Sequence, residues 1–190
     1  MATYLIRHGE SEGNCHGGYY GRTDTLLTEE GKRQACERAA ELTKLLKGRT
    51  GERLTIFSSP LQRAFKTACI LEEQLAVPCN IEVLPDLTEI NFGAWEGLAY
   101  EDIQRDYPEE CARWHADWIN FSFPEGESFR QFYDRIEGCW QILKKKIEAS
   151  DSDAVVVSHG GVLKVIKLID EQRPMEDFWK LKFSLGEMQL

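Results

Sequence analysis

Residues 154–157 read Ala-Val-Val-Val, with no polar residue at alternate positions. A strand of that composition cannot leave one face in water, and a parallel sheet held between two helical layers covers both. Its neighbours agree. Ser128 caps a helix whose apolar residues Phe129, Phe132, Ile136, Trp140, Leu143 and Ile147 recur at helical spacing and which ends in Lys144–Lys146. Gly160-Gly161 leads into a helix that runs to about Asp170. The first half alternates in the same way. ATYLI (2–6) is a short buried strand. Thr28 caps a helix with Glu29 and Glu30 in its first turn, a stripe of Ala35, Ala39, Leu42 and Leu46, and Gly48 as its stop. Leu54–Phe57 is a second strand, and Ser59-Pro60 opens a helix as cap followed by first-turn proline, with Leu61, Ala64, Ala68, Leu71 and Leu75 on its stripe. Ile81–Leu84 is a third strand. The stretch 86–127 is less regular, with short helices expected near 98–106 and 108–118, and Gly186–Leu190 can begin an edge strand. The expectation is a single domain over residues 1–190. Its fold class is α/β: a three-layer sandwich with a mainly parallel central sheet, plus a small helical and loop lid at about 90–127.

Composition narrows the partners. Lys and Arg total 23 against 32 Asp and Glu, a formal charge of −9. That balance argues against a duplex-binding surface and against anchoring on anionic lipid. The first residues, MATYLIRHGE, do not read as a signal peptide, and no apolar run is long enough to span a membrane. Six cysteines are scattered and never form C-x-x-C, so they read as reduced thiols of a cytoplasmic protein rather than as a zinc site or a disulfide framework.

In α/β sheets ligands sit beyond the carboxyl ends of strands. The first strand ends in Arg7-His8-Gly9-Glu10, the second in Ser58-Ser59-Pro60-Leu61-Gln62-Arg63, and the AVVV strand in Ser158-His159-Gly160-Gly161, while Glu89 follows the third. Two histidines and two arginines therefore converge on one sheet edge. Paired guanidiniums grip phosphoryl oxygens through parallel donors, which an ammonium cannot do. A neutral imidazole attacks phosphorus and divides the reaction into two steps, and neighbouring cations keep its lone pair free near neutrality. A carboxylic acid beside a bound phosphate can protonate a departing alkoxide, the role that suits Glu89. Fixed cations supply the charge stabilisation, so no metal and no other cofactor is expected.

The segments LIRHGESEGN (5–14), GRTDTLLTEEGKRQA (21–35), SSPLQRAFKTA (58–68), LTEINFGAWEG (87–97), PEGES (124–128) and VSHGG (157–161) follow one another over about 160 residues. In that order they resemble the histidine phosphatase superfamily, on its phosphoglycerate mutase-like branch. The resemblance implies that His8 is the phosphorylated nucleophile. It implies that Arg7, Arg63 and His159 form the phosphate pocket with Asn14 and the Gly160 amide, and that Glu89 is the proton donor and later the base. Ser11, Arg22 and Thr23 become substrate contacts and Ser58 a support behind them. Leu26 departs from the pattern, which usually has proline there, and a looser loop is expected.

A mutase must exclude water. The mutases of the family this chain resembles do so under longer covering segments than the 34 residues between Glu89 and Pro124, so the resemblance implies a phosphatase acting on a small phosphorylated metabolite. Mutase-type transfer, a broad-specificity sugar-phosphate phosphatase and a silent phospho-ligand-binding scaffold are the alternatives. Of 20 aromatic residues, 12 fall between 92 and 140. Most should pack the helical subdomain. A few of Trp95, Tyr100, Trp114, Trp118, Phe121 and Phe123 could instead line a pocket for a flat leaving group. The GRTD, NFGAWEG and GESF stretches most resemble the α-ribazole phosphatases, which implies α-ribazole 5′-phosphate as a substrate. His115 is expected at the surface, as is His16, although His16 and Cys15 could touch substrate.

Overall fold

The structure is a computed structural model and describes residues 2–47, 54–150 and 152–190. Strands β1 (Thr3–Arg7), β2 (Leu54–Ser58), β3 (Cys79–Val83), β4 (Ala154–Ser158) and β5 (Met188–Gln189) form one sheet in the order β3-β2-β4-β1-β5. The first four neighbours pair in parallel, and β5 runs antiparallel to β1 at the edge. As the AVVV run requires, β4 is central and buried on both faces. Val155 and Val157 pack with Ile6 and Ile56 beneath α2 (Glu29–Leu45) and α3 (Gln62–Gln74), whose stripes include Leu42, Ala64 and Leu71. Ala154 and Val156 face the opposite layer, built from α6 (Phe129–Ser150) and α7 (Gly160–Asp170). The short α1 (Glu12–His16) follows the first strand, and in the expected lid α4 (Tyr100–Asp106) and α5 (Pro108–Ala116) contribute Ile103 and Cys111 to the core on the α6 and α7 side.

Local chemistry sets the helix starts. The Thr28 hydroxyl accepts the Gly31 N–H, closing the first turn of α2. Ser128 forms a reciprocal box at the start of α6: its hydroxyl accepts the Gln131 N–H while its own N–H donates to Gln131 Oε1. The Gly48 stop lies outside the described residues, and the last described turn of α2 closes on Leu46.

The reading of Ser59-Pro60 as a helix opening is corrected. The helix begins three residues after Ser59, at Gln62, because the Ser59 N–H donates to Val157 O and keeps this residue in the sheet. Its hydroxyl then accepts the Leu61 N–H and meets His159 Nε2 at 2.8 Å, so the side chain serves the strand ends rather than the helix. The departure at Leu26 leaves its loop pinned: the side chain is half exposed, but its carbonyl accepts the Glu12 N–H.

Candidate active site

Register brings the strand ends level. Arg7 pairs with Ser158 across β1–β4 and Ser58 with Val157 across β2–β4, so His8, Ser59 and His159 are the next residues on three adjacent strands. The rings of His8 and His159 lie 5.1 Å apart at 63°, both almost wholly buried. His8 Nδ1 is 2.7 Å from Gly9 O. A carbonyl only accepts, so Nδ1 carries the proton and Nε2 keeps its lone pair.

Electrostatics point the same way. Burial above all, then the charges of Arg63 and Arg7, hold His8 well below the usual imidazole value. Burial, then His8, Arg63, Arg7 and Arg22, do the same to His159. Both rings are neutral at pH 7. The linkage sign is fixed by that depression: above pH 6.5 neither folded nor unfolded imidazole binds a proton, and below it only the unfolded ones do. Stability is therefore complete above about 6.5 and falls as pH drops, by up to about 1.4 kcal/mol per pH unit for each ring. In urea titrations between pH 6.5 and 5, His8→Ala is expected to show a shallower decline than the unchanged protein. Parallel slopes would mean that His8 is protonated in the fold.

Each guanidinium is anchored through backbone oxygens. Arg7 donates from Nη1 to Phe183 O, and Arg63 donates from Nη1 to Thr23 O and from Nη2 to Gly21 O. Burial draws both below the ordinary arginine value, opposed by the charge of Glu89, which both feel; they remain cations. Two nitrogens in this cluster, Arg7 Nε and His159 Nδ1, are buried without a hydrogen-bond partner among the described residues, and Nδ1 carries the ring proton when the Ser59 hydroxyl donates to Nε2.

The remaining expected residues divide. Gly160 starts α7 against Arg7, with an ideal Cβ only 3.3 Å from its guanidinium. Ser58 is buried and donates to Ser59 O. Ser11 and Asn14 bond each other, through the Ser11 N–H and hydroxyl to Asn14 Oδ1. Arg22 spends its Nε on Glu89 O and sits 3.8 Å from Glu127, and the Arg22 and Thr23 amides donate to Glu96, so their loop is fastened here. His16, Cys15 and His115 are exposed, and none of them lines the cavity beside the site.

Glu89 is held by its own carboxylate. Oε2 accepts the Gly161 N–H at 2.8 Å and Oε1 accepts the Ile90 N–H. A Cβ at Gly161 would lie 2.3 Å from Glu89 Oε1, so a side chain there would push the Glu89 carboxylate from this position. Sequence reasoning missed this contact and three others. Ser59 contacts His159; Glu96 gathers the amides of Gly21, Arg22, Thr23 and Phe92; Glu127 joins Arg135 behind Glu89. Their signal was present in the SSPLQRA, NFGAWEG and PEGES blocks, but carboxylates used as amide acceptors look like surface charge in a sequence.

A cavity of about 570 Å³ opens from Arg7, Glu89 and Gly161. Of the expected aromatics Trp114, Trp118 and Phe123 line it, while Trp95, Tyr100 and Phe121 do not; Phe178 and Trp179, outside the expected stretch, complete a wall with Lys164. The Lys164 ammonium stands 4.8 Å from the Phe178 ring centre. His8, Arg63 and His159 are not among the residues that line this cavity.

Imidazoles, guanidiniums and a carboxylate gathered at the carboxyl edge of this sheet suit phosphoryl chemistry, and the family match and phosphatase relatives make the chain a phosphoric monoester hydrolase of the α/β class. The chain belongs to the histidine phosphatase superfamily (branch 1), whose pattern matches residues 3–189. It is 34% identical over 187 residues to the adenosylcobalamin/α-ribazole phosphatase of Salmonella typhimurium, covering 98% of this chain and 87% of that one. It is 37% identical over 158 residues to phosphoserine phosphatase 1 of Hydrogenobacter thermophilus, covering 82% and 69%. Among solved structures, the α-ribazole phosphatase of Shigella flexneri superposes with a TM-score of 0.81 at 30% identity, covering 99% of this chain and 88% of that one.

Proposed function

We propose that this phosphatase works through a phosphorylated His8 on a small metabolite whose leaving group carries a flat ring. The observation that carries the reading is a pair of buried nitrogens without partners among the described residues, Arg7 Nε and His159 Nδ1, beside an imidazole nitrogen with a free lone pair. Leaving each unpaired costs about 1–3 kcal/mol, a cost that a phosphoryl group bound there removes. His8 Nε2 attacks phosphorus, the P–O ester bond breaks, and the Glu89 carboxyl gives its proton to the leaving oxygen. Glu89 then takes a proton from water as its oxygen attacks the phosphohistidine, the P–N bond breaks, and inorganic phosphate leaves. Arg7, Arg63, His159, Asn14 and the Gly160 amide hold the phosphoryl oxygens, with Ser11, Arg22 and Thr23 on the substrate side. The arginines supply the charge stabilisation that another enzyme takes from a metal.

The aromatic wall beside Glu89 favours a ring-bearing alcohol over a bare sugar, and α-ribazole 5′-phosphate, the compound in the relatives' names, is the first candidate. The six cysteines are free thiols and no described helix is long and apolar enough to cross a membrane. Both fit a cytoplasmic enzyme of one domain over residues 1–190. The net charge of −9 does not oppose an anionic substrate, because field in a cleft is local and distant surface charge is screened. A panel of phosphomonoesters compared by kcat/KM tests the assignment. α-Ribazole 5′-phosphate is expected to exceed O-phosphoserine and simple sugar phosphates by at least about tenfold, the discrimination a filled apolar pocket provides. A sugar phosphate at the head of the panel would remove the ring from the proposal.

A further inference from the structure

Glu89 sits on a segment with almost no regular structure, between the tight turn at Pro85–Leu87 and the one at Gly93–Trp95. A proton donor must nevertheless be held to within a fraction of an ångström of the leaving oxygen. Its carboxylate contacts, the Gly161 and Ile90 amides, fix the end of the side chain but not the backbone that carries it.

That backbone is clamped from behind by one side chain of α6. Arg135 Nη1 donates to Asp86 O at 2.7 Å and to Thr88 O at 3.0 Å, and Nη2 lies 3.5 Å from Glu89 O. The same Nη2 donates to Glu127 Oε1 at 2.7 Å. Glu127 Oε1 also accepts the Asn91 N–H, while the Glu127 N–H donates to Asn91 O. The pair therefore holds the chain on both sides of Glu89, from Asp86 through Asn91. Arg22 adds a bond to Glu89 O from the opposite loop. Arg135 and Glu127 are both mostly buried in their side chains, so the clamp is weakly screened. A planar fork that reaches the carbonyls of Asp86, Thr88 and Glu89 and a carboxylate is a task for arginine; a lysine ammonium could satisfy only part of it.

We infer that Arg135, set by Glu127, is a positioning residue for proton transfer by Glu89. The inference rests on the reading of Glu89 as the acid. It predicts a loss that depends on the leaving group. A 4-nitrophenolate departs without a proton, whereas an alkoxide does not, so misplacing the acid slows alkyl phosphates and spares 4-nitrophenyl phosphate. kcat/KM covers the steps through departure of the alcohol, and its ratio for an alkyl phosphate over 4-nitrophenyl phosphate is the quantity to read.

In the full chain, Arg135→Lys is expected to lower that ratio by about tenfold and Arg135→Met by more, with Glu127→Gln between them. Glu89→Gln sets the largest fall. Urea unfolding identifies variants that have lost the fold, and Arg135→Lys keeps the charge where Arg135→Met fails to fold. Equal losses on both substrates in folded Arg135 variants, or no loss, would overturn the inference while the Glu89→Gln ratio still falls. An unchanged ratio in Glu89→Gln would remove the acid assignment itself, which is a separate result.

Discussion

His8→Ala is expected to abolish turnover, with kcat/KM for 4-nitrophenyl phosphate down by about four orders of magnitude or more, while the protein stays folded. The expectation follows from the division of labour in the site. Arg7 and Arg63 are anchored on Phe183 O, Thr23 O and Gly21 O and do not depend on the imidazole for their positions. On the proposed mechanism the variant keeps the charge that would bind phosphate and loses the atom that would bond to phosphorus. Direct attack by water would then have to occur in a pocket shaped for an imidazole, with no base aligned to it. Loss of a nucleophile that acts together with its partners typically costs as much as losing the whole set, about 10⁶-fold in the best-studied hydrolase. Acid-labile, base-stable phosphate trapped during turnover is expected on the unchanged protein and absent from His8→Ala. Chelation with EDTA is expected to leave the unchanged protein's rate where it was. Turnover by His8→Ala near the normal rate would remove the phosphohistidine mechanism and leave the phosphate site in need of another nucleophile.

What the sequence made legible was what local chemistry alone decides. AVVV could only be a doubly buried strand, and the helix over Phe129–Ser150 buries every residue its spacing selected, with Tyr133 in addition. Arg7, His8, Arg63 and His159 could be grouped from the sequence because Arg7 ends β1, His8 and His159 follow strands directly and Arg63 lies in the first turn of α3. Glu89, in contrast, stands six residues beyond β3 and is brought to them by the turn at Pro85–Leu87. The supporting contacts were not legible, for a physical reason. Glu96 and Glu127 look like the other acidic residues until the fold delivers distant backbone amides to them, across 75 residues in the case of Gly21 and Glu96. Ser59 carried a conflicting local signal. Serine before proline is good capping chemistry, and only the parallel ladder with β4 shows that its amide is already committed to Val157 O. The last described segment was read as an optional edge strand. It forms β5 at Met188–Gln189, while the residues just before it, Lys182, Phe183 and Ser184, supply the carbonyl that holds Arg7 and part of the cavity wall, a role no periodicity encodes.

Arg63→Met is expected to lower kcat/KM by about 10²–10³-fold and, unlike His8→Ala, to change how the remaining activity depends on pH. Losing one preorganised donor to a developing oxyanion costs about that much, and here the donor is a buried cation. Methionine fills most of the volume but leaves Gly21 O and Thr23 O without donors, so the loop carrying Arg22 loosens as well. The second effect concerns His8, the proposed nucleophile. After burial, the Arg63 charge is the largest influence keeping His8 unprotonated. Removing it lets the His8 pKa rise toward the usual imidazole value. The sign is therefore upward: the acid limb that reports loss of the free lone pair moves to higher pH, and activity near pH 6 suffers more than activity near pH 8. NMR titration of the His8 ring in the free protein reads the same shift without substrate, separating it from the ionisation of the phosphate ester. An unmoved His8 titration with a large fall in rate would confine Arg63 to binding phosphate. A small fall in rate would show that Arg7 and His159 alone hold the phosphoryl group, and that the second guanidinium serves the loop.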